Sequence, residues 1–266
     1  MKGRSAMSNT ANAYTARYPD LEGRSVFISG GASGIGAEMV LAFASQGCRV
    51  CFIDIDVESA EALVETVARS TQHSPVFEVC DVTETENLRA AIERIARDTG
   101  NLAVLVNNAA RDLRVAVDDV TPEQWDDLAE INLKHQFFAA QAARPFMAAC
   151  GGGSIINFGS IAPTIGITDL AVYSSCKAAV FGLTRTLARE FGRDGVRVNS
   201  IVPGAILTAR QLRDWISEDD KASIIERQCL KRALAEDDVA EMALFLGSNA
   251  SRGCTGQEFR VDGGNF

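Results

Sequence analysis

Histidine is scarce in this chain: two in 266 residues, His73 and His135, far apart. A histidine-built zinc centre or a Ser-His-Asp triad has little to draw on, which sets aside several large enzyme classes. Clustered basic residues are missing as well. Lys and Arg number 26 against 35 Asp and Glu, for a net charge of −9. Nucleic acid and anionic membrane surfaces are therefore not expected partners, which leaves a small molecule or another copy of the chain. No apolar run approaches the roughly 18 residues that a membrane span needs. The opening stretch, MKGRSAMSNTANAYTARYPDL, has no apolar region of a secretory signal. Residues 1–20 read as a loose tail, with Met7 as an alternative start, and the expected location is the cytoplasm. The seven cysteines are odd in number and scattered. The C-x-x-C of CRVC (48–51) spans a loop and the start of an apolar run, with no second pair or histidine near it. Reduced thiols are expected, and no metal site.

What is present is regular alternation. SVFISG (25–30), RVCFID (49–54), PVFEVCD (75–81), LAVLVNNAA (102–110), GSIINFGS (153–160) and VRVNSIVPG (196–204) read as strands apolar on both faces. Between them, amphipathic stretches over 35–47, 57–70, 84–98, 122–147 and 170–192 read as helices. Strands of that kind separated by single helices imply a parallel sheet covered on both sides. Right-handed crossovers then make it doubly wound, a Rossmann-type α/β fold. No composition break divides the chain, so residues 21–266 are expected to form one domain.

In such folds ligands lie beyond the carboxyl ends of the strands. The first turn there is SGGASGIG (29–36), where Gly30, Ser33, Gly34, Ile35 and Gly36 lead from strand to helix. Missing side chains let the backbone approach a pyrophosphate at the positive end of the helix. Asp54 ends the second strand 18 residues after Gly36, where a carboxylate can bond the adenosine ribose hydroxyls. A carboxylate repels a 2′-phosphate and no Arg or Lys stands beside it, so the expected cofactor is NAD rather than NADP. Asp56 is a rival for the same part, and Ile55 lies between them. Asp81 and Val82 end the third strand near the adenine, and Asn108 and Ala109 end the fourth beside the cofactor.

VYSSCK (172–177) puts Tyr173 one helical turn before Lys177. By itself that pair is better read as helix surface. Ser160 ends the fifth strand 13 residues earlier, and Asn132 sits in the long helix before it. A tyrosine has a pKa near ~10, and lowering it towards ~7 takes on the order of 4 kcal/mol of preference for the phenolate. An ammonium at i+4 and a cationic nicotinamide supply a field of that sign. The phenolate is then a general base for an alcohol whose oxygen Ser160 holds.

At this point the sequence resembles the short-chain dehydrogenases/reductases, in their subtype of about 250 residues. The matches are SGGASGIG for T-G-x-x-x-G-x-G, NNAA for N-N-A-G, Asn132, Ser160, Tyr173 with Lys177, Pro203–Gly204, and a terminal TGQEFRVDGG (255–264). Ser29 in place of the family's Thr keeps the hydroxyl, and Ala110 in place of Gly puts a Cβ near the nicotinamide side. The resemblance implies that Tyr173 is the base, that Lys177 holds the ribose and lowers the tyrosine's pKa, and that Ser160 orients substrate. It further implies that Asn132 anchors a water in a proton path, that Pro203, Gly204 and Ile206 border the cofactor, and that the protein is a homotetramer.

Substrate falls to loops at about 110–114, 157–166 and 204–227, with Arg111, Asp112, Arg114, Asn157, Arg210, Gln211 and Trp215 as candidate contacts. Asp112, Asn157, Ser160, Tyr173, Arg210 and Trp215 form the expected substrate set, which suits a small polyhydroxylated ligand better than a steroid or acyl chain. YPDLEGR, INFGSI, VPG followed by ARQ, and QCLKR look similar to the family's bacterial aldose 1-dehydrogenases acting on D-xylose or L-arabinose. That likeness implies oxidation of the anomeric hydroxyl to an aldonolactone. Alternatives are a polyol or other secondary-alcohol dehydrogenase and, from another class, a noncatalytic NAD(H)-binding regulator. A sugar-nucleotide epimerase is disfavoured by the glycine spacing and the lack of a C-terminal substrate domain.

Overall fold

Seven strands form in the computed structural model, which describes residue 14 and residues 16–265. They are β1 (Ser25–Ser29), β2 (Arg49–Asp54), β3 (Val76–Val79), β4 (Val104–Asn107), β5 (Gly153–Phe158), β6 (Val196–Pro203) and β7 (Glu258–Val261). All pair in parallel, in the order β3-β2-β1-β4-β5-β6-β7. The order reverses between β1 and β4, and a cleft opens there beyond the strand ends. β1 and β4 are buried along their whole length, as apolar runs without alternation require when both faces are covered. The expected doubly wound sheet is what forms.

Ten α-helices form among the described residues: α1 (Gly34–Ser45), α2 (Val57–Ala68), α3 (Thr85–Thr99), α4 (Pro122–Ala129), α5 (His135–Ala149), α6 (Ala162–Ile165), α7 (Ala171–Phe191), α8 (Ala209–Asp214), α9 (Glu218–Arg227) and α10 (Glu236–Gly247). One core layer joins the sheet to α1, α2 and α10 through Met39, Phe43, Val67, Val239 and Leu244. The other joins it to α3, α5 and α7 through Leu88, Ile92, Met147, Leu187 and Phe191. None of the described helices is long and apolar enough to cross a membrane.

Two expectations change. The single helix over 122–147 is broken by a π-turn, Glu130–Lys134, with Asn132 inside it; such turns often mark sites. The expected tail, 1–20, lies mostly outside the described residues. Its last part is packed rather than loose: Tyr14 is buried and bonds Glu38, Arg17 donates to the Ser45 carbonyl at 2.7 Å, and the Tyr18 amide reaches Gln46 at 3.0 Å.

Candidate active site

The cleft has a volume of about 1130 Å³ and runs from the β1 turn to α8 and α9. Its first wall is built by close backbone approach. Gly30 has φ 68°, and a Cβ there would stand 2.8 Å from the Ala109 Cα. A Cβ at Gly36 would stand 1.8 Å from the Gly30 carbonyl oxygen. The turn is stitched by Asn108, whose Nδ2 donates to the carbonyls of Ser29 (3.2 Å) and Gly30 (2.8 Å). The Ser29 hydroxyl in turn accepts the amides of Asn108 (3.1 Å) and Ala109 (3.2 Å). A hydroxyl is therefore what position 29 needs. Ser33 caps α1 without a side-chain hydrogen bond. The first amides of the helix, at Gly34, Ile35 and Gly36, are left for a ligand in the cleft they line.

Asp54 accepts the amides of Ala32 (2.9 Å), Ile55 (2.8 Å) and Asp56 (3.1 Å), so its carboxylate is fixed at the rim. Asp56, the rival, accepts from the Ser59 amide as the cap of α2. Ile55 is 67% exposed in the same wall. Asp81 and Val82 line it too, with Asp81 held by Thr83. No described Lys or Arg lines this end near Asp54. Free helix amides, glycines that exclude a Cβ, and a carboxylate at the ribose end fit a nicotinamide dinucleotide.

Across the cleft, Tyr173, Lys177 and Ser160 meet. Lys177 is buried, and its Nζ donates to the Phe158 carbonyl at 2.9 Å and stands 5.6 Å from the centre of the Tyr173 ring. The Ser160 hydroxyl accepts the Ala162 amide at 3.1 Å and lines the same cleft as the phenol. Burial pushes the Tyr173 phenol up to about 12, against the pull of Ser160; Asp112 raises it further and Arg210 lowers it. Burial also brings Lys177 down to about 8, which Cys176 and Asp112 partly offset. In the protein alone desolvation dominates and the ammonium stands over the ring; the field expected to lower the phenol is that of Lys177 together with a cationic nicotinamide.

Asn132 is fully buried behind the cleft wall and is spoken for. Its Oδ1 accepts the Arg111 amide at 3.0 Å, and its Nδ2 donates to the carbonyls of Arg111 and Leu128, each at 3.0 Å. Both amide protons are spent on backbone, so the side chain holds the loop after β4. Asn157 is a correction. It is buried, paired with Asn107 across β4 and β5 at 2.9 Å and with Thr184 of α7 at 3.0 Å, and it does not reach the cleft. The next residue on the strand, Phe158, does. Pro203, Gly204 and Ile206 border the cleft, as do Arg111, Asp112, Arg114, Arg210, Gln211 and Trp215. Ala110 lines it without a left-handed backbone, so its Cβ strains nothing.

His135 is the supporting residue that the sequence reading passes over. Its ring meets the Ala109 carbonyl at 3.1 Å, and Nδ1 is buried without a partner. Burial, then the charge of Lys177, brings its pKa from 6.5 down to about 3. Below about pH 6.5 the unfolded chain takes up a proton that the folded ring refuses, so stability falls as pH drops from there towards 3, by at most ~1.4 kcal/mol per unit. Denaturation midpoints between about pH 7 and 5 are expected to fall more steeply for the wild type than for His135→Gln. Equal slopes would count against this.

Comparison with known proteins agrees with the geometry. A family model described as enoyl-(acyl carrier protein) reductase matches residues 30–265. A probable galactose dehydrogenase of Rhizobium meliloti is 48% identical over 95% of this chain and 98% of its own. A D-xylose 1-dehydrogenase of Caulobacter vibrioides is 43% identical over 94% and 98%. Among solved structures, a putative short-chain alcohol dehydrogenase from Sinorhizobium meliloti superposes with a TM-score of 0.86 at 32% identity, over 92% of this chain and 96% of that one.

Proposed function

Because the chain belongs to the short-chain dehydrogenase/reductase family, we propose that it is an NAD-dependent aldose 1-dehydrogenase that oxidises the anomeric hydroxyl of a sugar to an aldonolactone. The observation that carries the reading is the meeting of Tyr173, Ser160 and Lys177 in one cleft, opposite the glycine turn and beneath a polar wall of Asp112, Arg210 and Gln211. The sugar is supported by the names of the two relatives.

In this reading the α1 amides hold the pyrophosphate and Asp54 the adenosine ribose, while Ile55, Asp81 and Val82 border the adenine. Ala109, Pro203, Gly204 and Ile206 flank the nicotinamide. Bound NAD⁺ supplies the hydride acceptor for C1 and a positive charge beside the phenol. Ser160 holds the anomeric oxygen, Tyr173 takes its proton, and Lys177 holds the ribose and stabilises the phenolate. Asn132, with its side chain spent on the backbone of Arg111 and Leu128, is a positioning residue for the loop after β4 rather than a side-chain anchor for a water in the expected proton path. The loops at 110–114, 157–166 and 204–227 give the substrate wall, with Asp112, Arg210 and Trp215 as its contacts. A homotetramer would use the outer face of α5 and α7, where Phe137 is exposed beside a groove lined by Leu187 and Phe191.

The test is NAD⁺ reduction by the purified protein across D-galactose, D-xylose, L-arabinose, L-fucose, several polyols and simple secondary alcohols. Turnover of one or two aldoses is expected. Activity confined to polyols or simple alcohols would overturn the sugar assignment and leave the tyrosine chemistry standing.

A further inference from the structure

The loop after β4 is pinned from two sides. Asn132 grips the backbone of Arg111 from behind, and the Val115 amide donates to the Asp169 carbonyl at 2.8 Å, just ahead of α7. Asp169 takes a left-handed φ of 61°, rare for a residue with a side chain, to present that carbonyl. The loop is thus a fixed platform at the cleft mouth. Onto it comes α8 with the residue that follows. Arg210 forms an ion pair with one carboxylate oxygen of Asp112, and Gln211 Nε2 donates to the other at 2.8 Å. A second clasp joins the same two segments, with the Arg114 guanidinium 5.2 Å from the centre of the Trp215 ring. Both carboxylate oxygens of Asp112 are engaged by α8, each keeping a second lone pair for a ligand.

We propose that Asp112, Arg210 and Gln211 are a closure latch, tying α8 to the β4 loop across the cleft mouth and setting a pair of opposite charges in the wall of the cleft that Tyr173 also lines. The latch rests on the reading of Tyr173 as base. The groups that act on the Tyr173 hydroxyl are Ser160 from the loop after β5, Asp112 from the β4 loop and Arg210 from α8, while Lys177 on α7 stands 5.6 Å from the ring centre with Cys176 as its own neighbour. Asp127 and Glu130 line the same cleft, Glu130 already paired with Lys134, and His135 on α5 is neutral. Of these, Asp112 and Arg210 act on the phenol in opposite senses. The latch therefore sets two quantities together: how tightly the sugar is enclosed, and the pH at which the phenol gives up its proton.

The experiment is the pH profile of kcat/KM for the sugar at saturating NAD⁺, in the wild type, Asp112→Asn, Arg210→Met and the double variant. Asp112→Asn is expected to move the rising limb to lower pH and Arg210→Met to higher pH, each by about half a unit, because Arg210 is half exposed and screened. The double variant is expected to return the limb to its wild-type position. All three are expected to raise KM for the sugar about tenfold while NADH titration shows unchanged affinity, which also reports an intact fold. Limbs that stay put, or that move in the same direction in both single variants, would overturn the latch. Those outcomes together with an inactive Tyr173→Phe would leave the base assignment intact, whereas an active Tyr173→Phe would overturn both.

Discussion

Tyr173→Phe is expected to cut kcat by about 10³-fold or more while NADH affinity stays within a factor of about two. The substitution removes one oxygen from a ring that remains packed on α7 beside Lys177. That oxygen is the group proposed to take the substrate proton. No neighbour replaces it. Ser160 has too high a pKa to act as a base, Lys177 is held on the Phe158 carbonyl, and His135 lies in the interior against Ala109. The amides of α1 and Asp54 are untouched, so cofactor binding should persist. Stopped-flow absorbance of NADH and a fluorescence titration separate the two effects. Retained turnover would remove the tyrosine from the mechanism, and joint loss of binding and turnover would mean that the change had acted on the fold.

Gly36→Ala is expected to be the most damaging single methyl group in the cofactor wall. Its Cβ would stand 1.8 Å from the Gly30 carbonyl oxygen and 2.9 Å from the Asn108 Nδ2 that bonds that carbonyl. Gly30 has little room to retreat, since its amide is tied to the Ile53 carbonyl at 2.9 Å. The turn must open and the Asn108 bond must break. Overpacking with a lost buried hydrogen bond costs about 2–5 kcal/mol. The helix amides would also leave the line of the pyrophosphate, so NADH affinity should fall by at least about 100-fold even where the chain still folds. Gly253→Ala, with nothing within 4 Å of the new Cβ, is the control and should change neither quantity. A Gly36→Ala protein with wild-type melting and NADH binding would show that the turn is not the close-packed cradle described.

Particular residues show how far the sequence carries the fold. Strands β1, β2, β4, β5 and β6 were legible because burial on both faces leaves a nearly unbroken apolar run; β3, at the sheet edge with Val76 and Val79 exposed, was legible only from its β-branched and aromatic residues. The helices between them were legible for the complementary reason, one apolar stripe each. Beyond Gly204 only TGQEFRVDGG (255–264), which resembles the family's last strand, was read, and β7 forms inside it; α8, α9 and α10 were not anticipated. The first two bury no residue, so no stripe announces them. The third did carry a signal, in Glu236, Asp237 and Asp238 in its first turn followed by buried Val239, Ala243 and Leu244. The π-turn at Asn132 has no periodic signature, because one extra residue does not disturb an apolar stripe enough to be seen.

The candidate site was legible where several motifs fall in one order along the chain, as the glycine turn after β1, Ser160 after β5, and a tyrosine and lysine one turn apart on α7 do. It was not legible where strand parity decides. Asn157 and Phe158 are neighbours in sequence, yet alternation sends Asn157 inward to Asn107 and Thr184 and leaves Phe158 to the cleft. Nor does composition reveal that Asp112 is consumed by Arg210 and Gln211, about a hundred positions away in the chain.

The most direct test of the central claim follows the hydride. The protein is given NAD⁺ and an aldose carrying deuterium at C1, and the mass of the reduced cofactor is read. NADH heavier by one mass unit, with lactone as co-product, is the result that oxidation at the anomeric carbon predicts. Unlabelled NADH, with the deuterium still on the sugar, would place the chemistry at another carbon and contradict the account.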